Sequence, residues 1–193
     1  MDKILSVYSY GVCLFSVNVL QDFLKREKIK RKNILYFFQK DKGRYLTSQK
    51  EGVWIPLVGI NSGEYVIKLE GADIPFDDEW EQRLEYEGFN LELRDGLWIS
   101  SIGTLYEFEP SEFCGTEITY IDGDGKLSYA NFRYDVPDGK YLVKIKGYLR
   151  KQLLEFPNPN YGYMFSLTEV DEFDGYKNPR ENEEYDFNVA STK

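Results

Sequence analysis

Gly63-Glu-Tyr-Val-Ile-Lys-Leu-Glu-Gly71 and Gly139-Lys-Tyr-Leu-Val-Lys-Ile-Lys-Gly147 are two copies of one pattern. Glycine, tyrosine, lysine and glycine recur at the same places, and aliphatic residues exchange for one another between them. Tyr65, Ile67 and Leu69 alternate with polar or smaller residues, as do Tyr141, Val143 and Ile145, which is the period of a half-buried strand. Asn61-Ser62-Gly63 and Pro137-Asp138-Gly139 precede them as turns.

Flanking blocks keep the same order. Gly11-Val-Cys-Leu-Phe-Ser-Val17 resembles Gly96-Leu-Trp-Ile-Ser-Ser-Ile102, and Gln82-Arg-Leu-Glu-Tyr86 resembles Gln152-Leu-Leu-Glu-Phe156. An internal duplication follows, with residues 1–93 as the first β-repeat and 94–193 as the second. The first copy is longer between its glycine landmarks, and the surplus is placed at 21–32, a basic insertion without a counterpart. Leu20, Phe23 and Leu24 there share one helical face, so a short helix is expected, with Asn18 near its start and Lys25, Arg26, Lys28, Lys30, Arg31 and Lys32 on its solvated side and end. Ile34–Phe38 and Arg44–Thr47, around Asp41-Lys42-Gly43, read as a hairpin. So do Glu117–Ile121 and Lys126–Ala130, around Asp122-Gly-Asp124-Gly. Asp77–Gly88 suits either a helix or a strand.

Composition agrees with sheet: 16 Tyr and 13 Phe in 193 residues favour pleated, half-buried surfaces. The fold class expected is therefore all-β (mainly β), two duplicated β-sandwich-like units with one short helix inserted in the first.

The chain has no histidine and two cysteines, Cys13 and Cys114. Histidine-based triads lack their base, and His/Cys zinc sites lack ligands. Neither a phosphate loop nor a dinucleotide fingerprint is present. Asp122-Gly-Asp124-Gly opens like a calcium loop, but Lys126 stands at the third ligand position and Arg133 at the twelfth, so a hairpin turn accounts for it better. No catalytic, cofactor or metal site is assigned. The cysteines read as free, buried thiols of a reducing compartment. No apolar run is long enough to span a bilayer, and residues 4–20 are too polar for a signal peptide, so a cytoplasmic protein is expected.

Charge is distributed unevenly. Residues 1–50 hold 11 Lys/Arg against 4 Asp/Glu, whereas the whole chain carries a net −9. The excess acid disfavours nucleic acid and suits a basic protein partner. The candidate contact residues lie in the C-terminal segment, where acids alternate with aromatics: Glu169, Asp171, Glu172, Phe173, Asp174, Tyr176, Glu183, Glu184, Tyr185 and Asp186. The same segment reads equally as a solvated tail. Asp77–Glu87 is a second acidic patch, and the basic insertion could pack on acids of its own chain.

Tyr134-Asp-Val-Pro137-Asp-Gly139-Lys-Tyr141, running into an alternating strand, resembles the competence protein J-like nuclease inhibitors. The acidic, sheet-rich whole is similar to bacterial toxin-immunity proteins. That resemblance implies an inhibitor that occludes a basic partner such as a nuclease by acidic complementarity; it carries over no individual residue. Two other classes remain open: a carbohydrate-binding module or carbohydrate-active enzyme, and a structural or assembly protein.

Overall fold

The computed structural model describes residues 2–121, 123, 125, 127–155, 158–181 and 184–191. The chain is mainly β. Ten strands run β1 (Lys3–Val7), β2 (Gly11–Phe15), β3 (Trp54–Val58), β4 (Gly63–Leu69), β5 (Trp80–Leu93), β6 (Leu97–Ser101), β7 (Glu117–Ile121), β8 (Leu127–Tyr134), β9 (Gly139–Arg150) and β10 (Tyr161–Val170). They form two five-stranded sheets, ordered β1-β4-β10-β9-β5 and β3-β2-β6-β8-β7. Tyr65, Ile67 and Leu69 meet Tyr141, Val143 and Ile145 in the core between the sheets, with Leu14, Ile99 and Phe165. The face read from alternation is the core face in both; on β9 the other face is part-exposed, whereas on β4 Val66 and Lys68 are buried as well.

The two halves are not separate sandwiches. Each sheet takes strands from both 1–93 and 94–193, so the two halves share one core. Register reveals an internal two-fold relation. With Gly11 placed on Gly96, Leu14 is the counterpart of Ile99, Cys13 of Trp98 and Phe15 of Ser100. The observed antiparallel pairs are Leu14 with Ile99, Cys13 with Ser100 and Phe15 with Trp98, as an axis through Leu14 and Ile99 requires. In the other sheet β10 lies on the same axis: Phe165 stands opposite both Leu69 and its counterpart Ile145. Leu5 faces Tyr65 as Leu91 faces Tyr141, so β1-β2-β3-β4 corresponds to β5-β6-β8-β9. The second repeat therefore begins within β5, ahead of the division at residue 94. Gln152–Leu154 form no strand and have no counterpart in β5; Phe156 lies outside the described residues.

The helical content exceeds the single helix expected. Helix α1 (Val17–Arg26) is the one read from Leu20, Phe23 and Leu24. The hairpin expected at 34–47 is instead α2 (Ile34–Lys40) and α3 (Lys42–Lys50). Asn33 and Asp41 decide this: their side chains accept the N–H groups of Tyr36 and Arg44 at 2.8 and 3.0 Å, which satisfies donors left open at a helix start. Ile34, Leu35 and Phe38 then share a face with helical spacing. These helices, with short 3-10 turns at Ile102–Glu107 and Pro110–Glu112, cover the outer face of the second sheet in a separate core around Trp54, Trp98 and Phe15. The ambiguous Asp77–Gly88 stretch resolves as strand from Trp80 onward.

Cys13 is buried and Cys114 is exposed, both free. Burial pushes the Cys13 thiol up, so it is held protonated. Asp122, Asp124 and Lys126 lie outside the described residues. No helix among the described residues is long and apolar enough to cross a membrane.

Candidate interaction surface

After β10 the chain folds back over β5 and α3 as an anchored segment rather than a loose tail. Phe187 is buried, and its carbonyl accepts the Tyr163 hydroxyl at 2.6 Å. Tyr185 stands edge-on to Tyr86 and Phe89, with both centroid separations 5.2 Å. The Tyr45 hydroxyl donates to Asn178 Oδ1 at 2.7 Å, and the Arg180 guanidinium lies 4.8 Å from the Tyr45 ring centroid. Lys177 Nζ donates to the Glu87 carbonyl at 2.7 Å, and Asn90 donates to the Gly175 carbonyl at 2.8 Å. Between this segment and α3 lies an open cavity of about 840 Å³ bearing Lys42, Tyr176, Glu181 and Glu184.

The candidate residues separate into two groups. Phe173 is half-buried, near Gly52, with Lys140 Nζ 5.7 Å from its centroid. Tyr185 is half-buried in the ring cluster; burial, reinforced by the bond to Glu184, pushes its hydroxyl up to about 12. These two rings attach the segment to its own protein and are not free anchors for a partner. Asp186 is exposed, yet its carboxylate accepts from the Asn188 amide and the Ser191 hydroxyl. Glu169, Asp171, Glu172, Asp174 and Glu184 are exposed, and Tyr176 is 42% exposed. Glu183 lies outside the described residues.

A second distinction concerns charge pairing. On β5 and just before it, Glu79 meets Arg150 at 2.6 Å, Glu81 meets Arg83 at 3.6 Å, and Lys144 lies 3.6 Å from Glu85 and 2.9 Å from Glu87. These four carboxylates are paired with basic residues of their own sheet, whereas Asp77 and Asp78 of the same patch form no ion pair among the described residues. Glu169, Asp171, Glu172, Asp174, Glu181 and Glu184 form no ion pair among the described residues. They make an acidic strip along the anchored segment. The basic insertion is partly neutralised, Arg26 by Glu51 at 2.6 Å and Lys32 by Glu109 at 3.0 Å.

Two further cavities continue the groove past Arg180. One is floored by Phe38 and Tyr45. The other, about 310 Å³, is lined by Pro56, Val58, Gln39 and the exposed rings of Tyr10 and Tyr106. The sequence reading did not single out Lys42, Asn178, Arg180, Tyr10 or Tyr106 as contact residues. The folded path of the C-terminal segment sets Asn178 beside Lys42 and Arg180 beside Tyr10 and Tyr106.

Comparison with protein-family models, with curated proteins and with solved structures finds no match to this chain.

Proposed function

We propose that this protein is a binding module for a basic protein, with the strip from Glu169 to Glu184 as its contact surface. The observation that carries this is the contrast in pairing: the β5 acids are matched within the fold, whereas the strip's carboxylates are not. Unmatched charges on an ordered backbone steer an encounter and then gain hydrogen-bond partners without prior rearrangement. Tyr176 supplies an aromatic contact at the strip's centre, a residue type favoured at interface cores. Occlusion of a basic active site, as in an inhibitor or immunity protein, is the function this surface suits. A nuclease is the partner class we favour, because its active surface must itself be basic to hold phosphates.

A panel of purified basic nucleases, assayed for binding and residual activity with and without the protein, tests this. One member should bind and lose activity, and an Asp171→Asn, Glu172→Gln, Asp174→Asn variant should bind it at least about tenfold more weakly. Inhibition that survives all three changes would move the site elsewhere on the molecule.

The groove beside Tyr10 and Tyr106 supports a second reading, an oligosaccharide-binding module, since exposed rings flank a concave floor there. Calorimetric titration with a panel of oligosaccharides, repeated on Tyr10→Ala and Tyr106→Ala, separates it from the first.

A further inference from the structure

Two sheets leave four edge strands, each a row of open backbone groups that invites another strand. Three are guarded. β3 carries Pro56 in mid-strand, which has no N–H to offer a newcomer. β5 is broken by register shifts at Gln82/Leu84 and Glu87/Phe89 and bears exposed Glu81, Arg83, Glu85 and Glu87. β1 packs against β8 of the other sheet, which covers it.

β7 is as short as β1 and its pairing with β8 shifts register between Ile118 and Thr119, but apart from Glu117 it bears no charge to turn a newcomer away. Its sequence, Glu117-Ile-Thr-Tyr-Ile121, contains no proline and no lysine, and four of its five residues are exposed. Ile121 is 66% exposed and pairs with Leu127, itself 48% exposed. Tyr120 stands edge-on to the exposed Tyr8 at 5.8 Å, which extends the apolar rim. Beyond its pairing with β8, no backbone hydrogen bond of β7 is made to any other element among the described residues. The strand also has no counterpart in the first repeat. It lies outside β8, whereas nothing lies outside β3, the equivalent of β8.

We infer that β7 is an addition edge, which takes an extended, basic segment of another protein as a sixth strand of its sheet. Main-chain hydrogen bonds would supply the pairing, while Tyr120 and Ile121 take alternate side chains. Charge selects the occupant. From Ile102 to Ile121 the chain holds Glu107, Glu109, Glu112 and Glu117 and no Lys or Arg. Of these four, only Glu109 is in an ion pair among the described residues, with Lys32. A second copy would bring the same negative surface to the contact and be repelled; a strand with alternating lysines would be attracted. This surface is separate from the Glu169–Glu184 strip, and either assignment can fail without the other.

Hydrogen–deuterium exchange on the full chain tests it with three synthetic probes: an alternating lysine–valine peptide, its glutamate twin, and a lysine twin with a central proline. The basic peptide should slow exchange of the 117–121 amides by about tenfold or more, with little change in β3 or β1. The glutamate and proline twins should leave β7 unchanged. The strip variant Asp171→Asn, Glu172→Gln, Asp174→Asn should respond as the wild type does, and Thr119→Pro should lose the response. The proposal is overturned by unprotected β7 amides at saturating basic peptide, or by equal protection from the proline twin. Protection that grows with protein concentration alone would make a second copy the occupant, and overturns it too.

Discussion

Tyr65 and Tyr141 each donate a hydroxyl proton to the carbonyl four residues upstream, Asn61 at 2.8 Å and Pro137 at 2.9 Å. Such a corner ties the start of an inner strand to the turn before it. Gly11 and Gly96 show the same duplication of detail. A Cβ on either would sit 2.7 or 2.8 Å from a backbone oxygen, that of Leu57 or Tyr134, which are themselves counterparts. Tyr10 and Asp95 precede those glycines, and both adopt positive φ, 56° and 65°. The strained backbone at Tyr10 is thus a property of the repeat and not of a site. Tyr65→Phe and Tyr141→Phe should each cost about 1 kcal/mol, with similar values for the two, in urea denaturation. A large cost at one and none at the other would break the equivalence. Lys28 also has positive φ, 57°, one residue before Ile29, whose N–H returns to the Leu24 carbonyl at 2.8 Å. This is the cap geometry that favours glycine. Lys28→Gly should therefore stabilise the protein by about 0.5–1 kcal/mol; a loss of stability would show that the lysine side chain contributes there. The repeated tyrosines and glycines were legible in the sequence because a local turn demands them. The carbonyl oxygens that make the glycines necessary come from distant strands and were not.

Among the elements, the strands beginning at Gly63 and Gly139 were readable from alternation alone, since one face is core and a one-residue slip would reverse it. Ile34–Phe38 was misread because a short apolar run carries no period of its own. The deciding signal was the pair Asn33 and Asp41, each three residues before the N–H it accepts. Asp41→Ala is expected to cost about 1 kcal/mol and to lower far-UV helical signal, whereas a turn residue of a β-hairpin would leave that signal unchanged. The C-terminal segment was half legible. Glu169, Asp171, Glu172, Asp174, Glu184 and Asp186 are exposed, but spacing cannot say whether Phe173 and Tyr185 hold a partner or their own chain. Those rings are fixed by Gly52, Tyr86 and Phe89, residues far away in sequence.

At the scale of the molecule, two repeats share one core and place their additions asymmetrically. Basic helices α1–α3 follow β2, and the acidic stretch with β7 follows β6. The large number of buried tyrosines sets the alkaline limit of this arrangement. Burial raises the hydroxyls of Tyr45, Tyr65, Tyr134, Tyr163 and Tyr185 above their ordinary value of 10.0. The folded state then binds more protons than the unfolded one, so stability is complete below about pH 10 and falls as pH rises beyond it. A late fraction of the tyrosinate absorbance should emerge together with loss of near-UV dichroism. Full tyrosine ionisation with that dichroism intact would contradict the assignment.

The central claim is that the location of the unmatched acids, and not net charge, makes the contact surface. Two variants that remove the same number of charges separate these: Asp171→Asn, Glu172→Gln, Asp174→Asn on the strip, and Glu81→Gln, Glu85→Gln, Glu87→Gln on β5. Their association rates with the nuclease that the panel identifies should be measured by stopped flow at low and at high salt. The account predicts that the strip variant associates about tenfold more slowly at low salt and loses most of its salt dependence, while the β5 variant stays within about twofold of wild type. Equal slowing of both would contradict it, and would leave the acidity as a property of the whole surface.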